Sequence, residues 1–329
     1  MYKFFIDIIY DMNNDNQTKP NVGISACLMG FKVRYDGGHK NNKFIHEVAE
    51  QYFNYVTTCP EIGAGMGTPR PPIHLYKSKD DILLVDRDDH SIDFTKAMQA
   101  FAQESAESFA KSLNGFVFKA KSPSCGIERV PIHQDINSTP DYRGIGAFAK
   151  IFMQMNPNIP VEDEGRLNDS KIRENFFERV YAHYRFTMIN DTVHELTKFH
   201  AAYKYSIMAR GSQYPSILGK IASSANRQNI KEVRQEYFTE FMKIMKIQAT
   251  RKKHINTMQH IMGYFKNQLD FESKQELLSV FDSYKNYEVP LSTPMALINL
   301  FQRRFKNEYL SNQYYLNPYP KELALRANI

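Results

Sequence analysis

Cys27, Cys59 and Cys125 are the three cysteines of a 329-residue chain, and none stands in a C-x-x-C pair. Neither a zinc ribbon nor a thioredoxin-type couple is therefore written into their spacing. What they share is what precedes them: VGISAC ends at Cys27, YVTTC ends at Cys59, and GFVFKA leads through KSPSC to Cys125. Each run is β-branched or apolar and predicts a buried strand. Each thiol then sits at the carboxyl end of a strand, where open parallel sheets form their crevices. A free cysteine is by default a small, inert core residue. The surrounding loops argue for more. Pro60, Gly63, Gly65, Gly67, Pro69, Pro71 and Pro72 crowd one turn, while Pro123 and Gly126 bracket another. That is the composition of backbone brought close to a ligand.

Three thiolates suit a soft metal or a cluster. A structural zinc needs a fourth ligand, and His39, His46, His74 and His133 are candidates for a Cys₃His site. A 4Fe-4S cluster on three cysteines leaves one iron open, able to bind sulfur or oxygen as a Lewis acid.

The elements that position these residues follow from patterning. Strands are expected at 22–28, 55–61, 81–86 and 115–121, with a further one at 145–152. Between the third and fourth, Phe94, Ala97, Met98, Phe101, Ala102, Ser105, Phe109 and Leu113 recur at helical spacing, with Asn114-Gly115 as the stop. Strand and helix alternating in this way argue for a Rossmann-like, mainly parallel sheet. The Pro- and acid-rich stretch 157–170 reads as a connection. Helical patterning then runs to the end, at 190–210, 213–225, 230–249, 253–268, 272–285 and 293–309, so an all-α bundle follows the α/β domain. The expected organisation is an N-terminal extension at 1–20, an α/β domain at 21–170, a connecting helix at 171–189 and a helical domain at 190–329.

Composition excludes some classes. The chain is 42% hydrophobic and 24% charged, without an apolar run long enough for a membrane span. The opening MYKFFIDIIYDMNN is interrupted by Asp7 and Asp11, unlike a secretory signal, so a cytoplasmic location is expected. Charge divides unevenly. Residues 191–329 hold 20 Lys plus Arg against 12 Asp plus Glu, whereas 1–190 hold 22 against 24. The basic half favours an anionic partner. In it, Phe199, His200, Tyr203, Lys204, Tyr205 and Arg210 interleave aromatic and cationic groups, a composition able to stack on bases and meet phosphates. Arg251, Lys252, Lys253 and His254, and then Arg303, Arg304 and Lys306, form two further basic clusters. Solvated helix faces are the plain alternative for both, and a core role is the plain one for His200.

SACLMGFKVRYDGG (25–38), TCPEIGAGMGTPRPP (58–72), KAKSPSCG (119–126) and VEDEGRLND (161–169) together resemble the thiouracil desulfidase family. LTKFHAAYKYSIMARGSQYPSILGKIA (196–222) and YLSNQYYLNPYPKELALR (309–326) resemble a helical domain of unknown function often fused to it. The fused arrangement is similar to bacterial tRNA 4-thiouridine desulfidases, which replace the sulfur of thiolated uridine in tRNA with oxygen.

The resemblance implies that Cys27, Cys59 and Cys125 hold a 4Fe-4S cluster whose fourth iron takes the substrate sulfur. Glu61, two residues beyond Cys59, is then the candidate acid and base, since a carboxylate in a partly dry crevice can be tuned toward working pH. Ser122 would position substrate or relay a proton, with Ser124 as the alternative. Each also has a plain reading: Glu61 pairs with Arg34 or Arg70, Ser122 caps a turn, and Arg34, Tyr35, Asp36 and Gly37 form a turn bracing Cys27. The RNA-binding candidates are Lys204, Arg210, Arg251, Lys252, Lys253, Arg303 and Arg304, with tRNA as partner. The competing functions are a desulfidase of free thiouracil and a non-catalytic iron–sulfur regulator that binds RNA.

Overall fold

The computed structural model describes residues 19–134 and 139–329. Of the extension expected at 1–20, only residues 19 and 20 fall among them. The chain forms two compact units, which divide between Asn168 and Asp169.

The first unit contains two four-stranded sheets. One is all parallel, in the order β2 (Asn54–Thr58), β1 (Asn21–Ser25), β5 (Gly115–Phe118), β8 (Val161–Asp163). β1 is central, with Val22 and Ile24 fully buried, and such double-sided burial is what an apolar strand in a parallel sheet requires. Gly23 lies between them for a steric reason. A Cβ there would stand 2.3 Å from the Phe116 ring on the adjacent strand. Helices α2 (Thr95–Glu107) and α3 (Ala147–Met155) pack with this sheet in a single core that includes Met98, Ala102, Phe116, Phe118, Phe148 and Phe152. Phe116 and Phe118, two residues apart on one face, stack at 4.0 Å, and Phe152 meets both edge-on. Truncating such a ring to alanine typically costs about 3–5 kcal/mol.

Several expectations are corrected here. The run at 145–152 is helix α3, not a strand: Phe148, Ala149 and Phe152 recur at helical spacing behind Gly146, and a short apolar run does not distinguish the two periods. DILLVD is a strand, β4 (Asp81–Asp86), but it pairs antiparallel with an unanticipated β3 (Ile73–Ser78) in the second sheet. That sheet runs β4-β3-β6 (Val130–His133)-β7 (Asp141–Gly144) and is mixed. The connection expected at 157–170 supplies β8, whose three residues are too few to register as a strand pattern.

The second unit is all helical: α4 (Ser170–Thr187), α5 (Val193–Met208), α6 (Tyr214–Ser223), α7 (Ile230–Met245), α8 (Arg251–Met262), α9 (Phe271–Lys285) and α10 (Ser292–Phe305). α4 begins at an Asp169 cap, whose side chain accepts from Lys171 N and Ile172 N at 2.9 Å each. The connecting helix expected at 171–189 corresponds to α4, which ends two residues earlier and packs inside this unit through Ala182 and Phe186. α5 contributes to two cores of the unit, Phe199 and Tyr203 to one and Tyr205 to the other, which Ala209 joins just past the helix end. Among the described residues, no helix is long and apolar enough to cross a membrane.

Candidate active site

Each parallel strand that carries a cysteine ends before it. β1 stops at Ser25 and Cys27 lies in the following 3-10 turn, Ala26–Met29. β2 stops at Thr58, and Cys59 caps the one-turn helix α1 (Pro60–Gly63), where Pro60 forbids further strand pairing. After β5 the chain turns through Lys121, whose φ is +58°, before reaching Cys125. β2, β1 and β5 are neighbours in register, so three turns emerge side by side. The three thiols line one cavity of about 330 Å³, as the strand-end reading requires.

Cys27 and Cys125 are 8% and 5% exposed, and Cys59 is half-buried. Burial raises all three thiols, taking Cys125 to about 12. They also act on one another: the Cys27 charge opposes ionisation of Cys59, and both oppose that of Cys125. Lys119 and Arg34 work in the other direction at Cys27, as does a Ser25 hydrogen bond at Cys125. Three mutually repelling thiolates need positive charge to coexist. Arg34, Lys40, Lys119 and Lys121 supply it from the cavity wall, and a bound cationic metal core would supply more.

The zinc alternative fails on its histidines, since none lines the cavity. His39 accepts from Asn41 N, His46 pairs with Glu50, and His74 and His133 stack on each other in the second sheet. Among the described residues, no three His, Cys, Asp or Glu side chains converge closely enough to hold a single ion. Three soft donors around a cavity wider than one ion, ringed by cations, fit a polynuclear iron–sulfur group.

Glu61 lines the same cavity, and both of its oxygens are engaged. Arg70 Nη2 donates to Oε2, and Ser124 Oγ donates to Oε1 at 2.5 Å. The plain expectation of an Arg70 pair is therefore met without removing Glu61 from the site. Arg70 is itself fixed by the carbonyls of Val33 and Gly67, at 3.1 and 2.9 Å. Ser122 faces the cavity, while Ser124 is fully buried behind it, their Oγ atoms 2.9 Å apart. The order of the two serines is thus Ser122, Ser124, Glu61. The residue ranked second by sequence makes the direct contact. Ser122 Oγ also accepts from Ser124 N and Cys125 N at 3.3 and 3.2 Å, so its turn-capping role holds as well.

The remaining motifs brace this arrangement. Glu164 accepts from Lys119 Nζ and, at 2.7 Å, from Ala120 N, joining the 161–169 segment to the Cys125 turn. Asp36 closes the Arg34–Gly38 turn, and Lys40 N donates to the Cys27 carbonyl at 2.8 Å. Gly63 answers to packing rather than to a ligand: a Cβ there would stand 2.2 Å from the Phe101 ring. Lys40, Lys121 and the Lys119–Glu164 pair were not identified from sequence. Lys119, Lys121 and Glu164 lie within the KAKSPSCG and VEDEGRLND motifs, and Lys40 lies two residues past SACLMGFKVRYDGG.

In the helical unit, the seven cationic candidates separate. Arg210 is 1% exposed and sealed against Glu178, with Nη2 to Oε2 at 2.5 Å and Nη1 to Oε1 at 3.3 Å, so it is no RNA contact. Arg251 is half-buried, lying 4.3 Å over Tyr284 and donating to the Val289 carbonyl, and Lys253 donates to the Arg210 carbonyl. Those two are structural. Lys252, Arg303 and Arg304 are exposed, and Lys204 is half-buried beside Tyr205. Phe199, Tyr203 and Tyr205 are core, not a stacking surface, and His200 reaches the Tyr237 hydroxyl at 3.0 Å.

Residues 22–164 match the family model for 2-thiouracil desulfurase, and residues 204–320 match a family of unknown function, DUF1722. The uncharacterized protein YbgA of Escherichia coli (strain K12) is 26% identical over 132 residues, 40% of this chain and 78% of that protein. The uncharacterized protein YbbK of Bacillus subtilis (strain 168) is 27% identical over 151 residues, 44% of this chain and 97% of that one. Among solved structures, the 4Fe-4S-dependent thiouracil desulfidase TudS is 27% identical, covering 46% of this chain and 94% of its own, with a TM-score of 0.37.

Proposed function

We propose that this chain, which joins a 2-thiouracil desulfurase domain to a DUF1722 domain, is an iron–sulfur desulfidase that converts 4-thiouridine in tRNA to uridine. The observation that carries the reading is the meeting of Cys27, Cys59, Cys125, Glu61 and Ser122 on one cavity. The overall change is hydrolytic: water adds at C4, and the C–S bond breaks to release sulfide. A 4Fe-4S cluster on the three cysteines would leave one iron without a protein ligand and so supply a soft acid for the thione sulfur.

The chain's own groups handle the protons. Glu61 takes a proton from the attacking water, held in position because Arg70 and Ser124 fix both carboxylate oxygens. Ser124 links it to Ser122, whose hydroxyl faces the cavity and can return a proton toward the departing sulfur. Lys40 and Lys121 hold a positive field at the cavity where charge grows on sulfur. The exposed Lys252, Arg303 and Arg304 support a polyanionic substrate. The test is turnover by the anaerobic full-length protein of 4-thiouridine-containing tRNA beside free thiouracil, following sulfide release. Faster processing of the tRNA supports the reading. Turnover of free thiouracil alone makes the protein a free-base desulfidase, and turnover of neither makes it a sensor or regulator.

A further inference from the structure

His74 and His133 do not serve the cysteines. With His90 they form a cluster of their own on the second sheet. Tyr76 sits opposite His133 in the parallel β3/β6 pairing, and His74, two residues earlier, shares its face. His90, in the turn after β4, folds back so that its ring centre lies 5.0 Å from His74 and 4.3 Å from Tyr76. His133 stacks on His74 at 4.7 Å with the planes 27° apart. The Nε2 atoms of His74 and His90 are 3.0 Å apart, one ring donating and the other accepting. Nothing in the proposed desulfurisation uses this group.

We propose that His74 and His90 form a two-imidazole site for a divalent transition ion of the class that imidazole nitrogen suits, Ni²⁺, Cu²⁺ or Zn²⁺, with solvent completing its shell. The two Nε2 atoms are 3.0 Å apart, a spacing that imidazole–metal bonds of about 2.0–2.1 Å can close on one ion. The exchange is simple. The ring that donates through Nε2 moves its proton to Nδ1, both rings turn off the hydrogen-bond axis so that their Nε2 lone pairs meet at the ion, and no oxidant or co-reactant is needed.

The surroundings suit a cation. Asp86 lies on the attractive side of His74, while Arg87, the opposing charge, is turned to Asp88 at 3.1 Å. His133 stacks on His74 and Tyr76 lies tilted against His90, the orienting role that outer partners play in metal sites. Among the described residues, no third His, Cys, Asp or Glu converges with the pair, which leaves the ion's other positions open. His74 directly follows Pro72 and Ile73, which line the thiol cavity, so an ion here would anchor the strand forming that wall.

The test is calorimetric titration of the anaerobic full chain, its thiols occupied by the cluster, with Ni²⁺ alone. One ion per chain is expected. His90→Gln alters an exposed turn residue, so folding is retained, and it should weaken binding by more than the roughly 10–100-fold that losing an outer partner costs. His133→Phe, which keeps the stacking ring, should change affinity far less. A parallel titration of the triple Cys27→Ser, Cys59→Ser, Cys125→Ser protein should retain the site. Undiminished binding by His90→Gln, binding lost with the cysteines, or no binding at all would each overturn the proposal.

Discussion

The two units place their cations in opposite surroundings. In the first, Arg34, Lys40, Lys119 and Lys121 border an open cavity that also holds three thiols. In the second, Arg210 and Arg326 are buried against Glu178 and Glu174, and the Tyr319 hydroxyl donates to the same Glu174 oxygen that Arg326 engages. A cation beside a cavity acts on what enters. One sealed against a carboxylate acts on the fold. The 20 basic residues at 191–329 are therefore not all surface charge, because Arg210 and Arg326 are sealed against carboxylates and hold the helices together.

The sharpest break of that contrast is at the thiols. Replacing Cys27, Cys59 or Cys125 singly by Ser should abolish iron and sulfide retention, and turnover with it, because a hydroxyl is a hard and poor substitute for thiolate. Iron and acid-labile sulfide analysis of anaerobic protein checks this, with about four of each expected in the wild type. A variant retaining both would remove its cysteine from the ligand set.

Next in size is the buried pair. Arg210→Ala leaves Glu178 without its bidentate partner in the interior, which should cost about 3–5 kcal/mol of stability in urea unfolding. Replacing both, Arg210→Met with Glu178→Leu, should recover much of that loss, since the desolvation cost disappears with the charges. If Arg210→Ala instead weakened tRNA binding and left stability unchanged, the division between fold-holding and ligand-facing cations would fail.

Third comes Glu61→Gln, expected to keep the cluster absorbance and lose roughly 100-fold in rate, the low end for general acid–base catalysis. The structure adds a refinement. Ser124→Ala should cost more than Ser122→Ala, since Ser124 is the serine bonded to Glu61. Equal rates for Glu61→Gln and wild type would reduce the carboxylate to an anchor for Arg70.

The thiol site was legible because strand ends, glycine-proline turns and soft donors all leave local marks. β1, β2 and β5 carry their cysteines just past the last paired residue, so three short patterns suffice to place three ligands. Of the second sheet only β4 was legible: β6 and β7 have four residues each, and the pairing of β3 with β6 joins segments far apart in the chain. The helices read well because their apolar period is long. What failed was assigning charge to surfaces. Arg210 and Lys253 look identical in sequence to Lys252 and Arg303, and only packing separates a guanidinium facing Glu178 from one facing water.

The smallest expected effect tests that separation. Lys252, Arg303 and Arg304 are the exposed members of the two basic clusters, and Arg303 and Arg304 occupy the last turn of α10. If they meet tRNA phosphates, each neutralisation removes about one counterion-releasing contact. The triple change to Gln should then reduce the slope of log affinity against log salt by roughly 2–3, at about 0.7–0.9 per phosphate. Affinity should fall modestly at physiological salt and more at low salt, where the screening length is greater. Stability should stay within about 0.5 kcal/mol, because exposed side chains away from packing contribute little to it. Turnover of free thiouracil should be untouched, which keeps a binding defect distinct from a damaged cluster. Filter binding across a salt series reads slope and affinity, urea unfolding reads stability, and sulfide release reads thiouracil turnover. An unchanged salt slope would mean that the polyanion is held elsewhere, and the cations around the thiol cavity would become the next place to look.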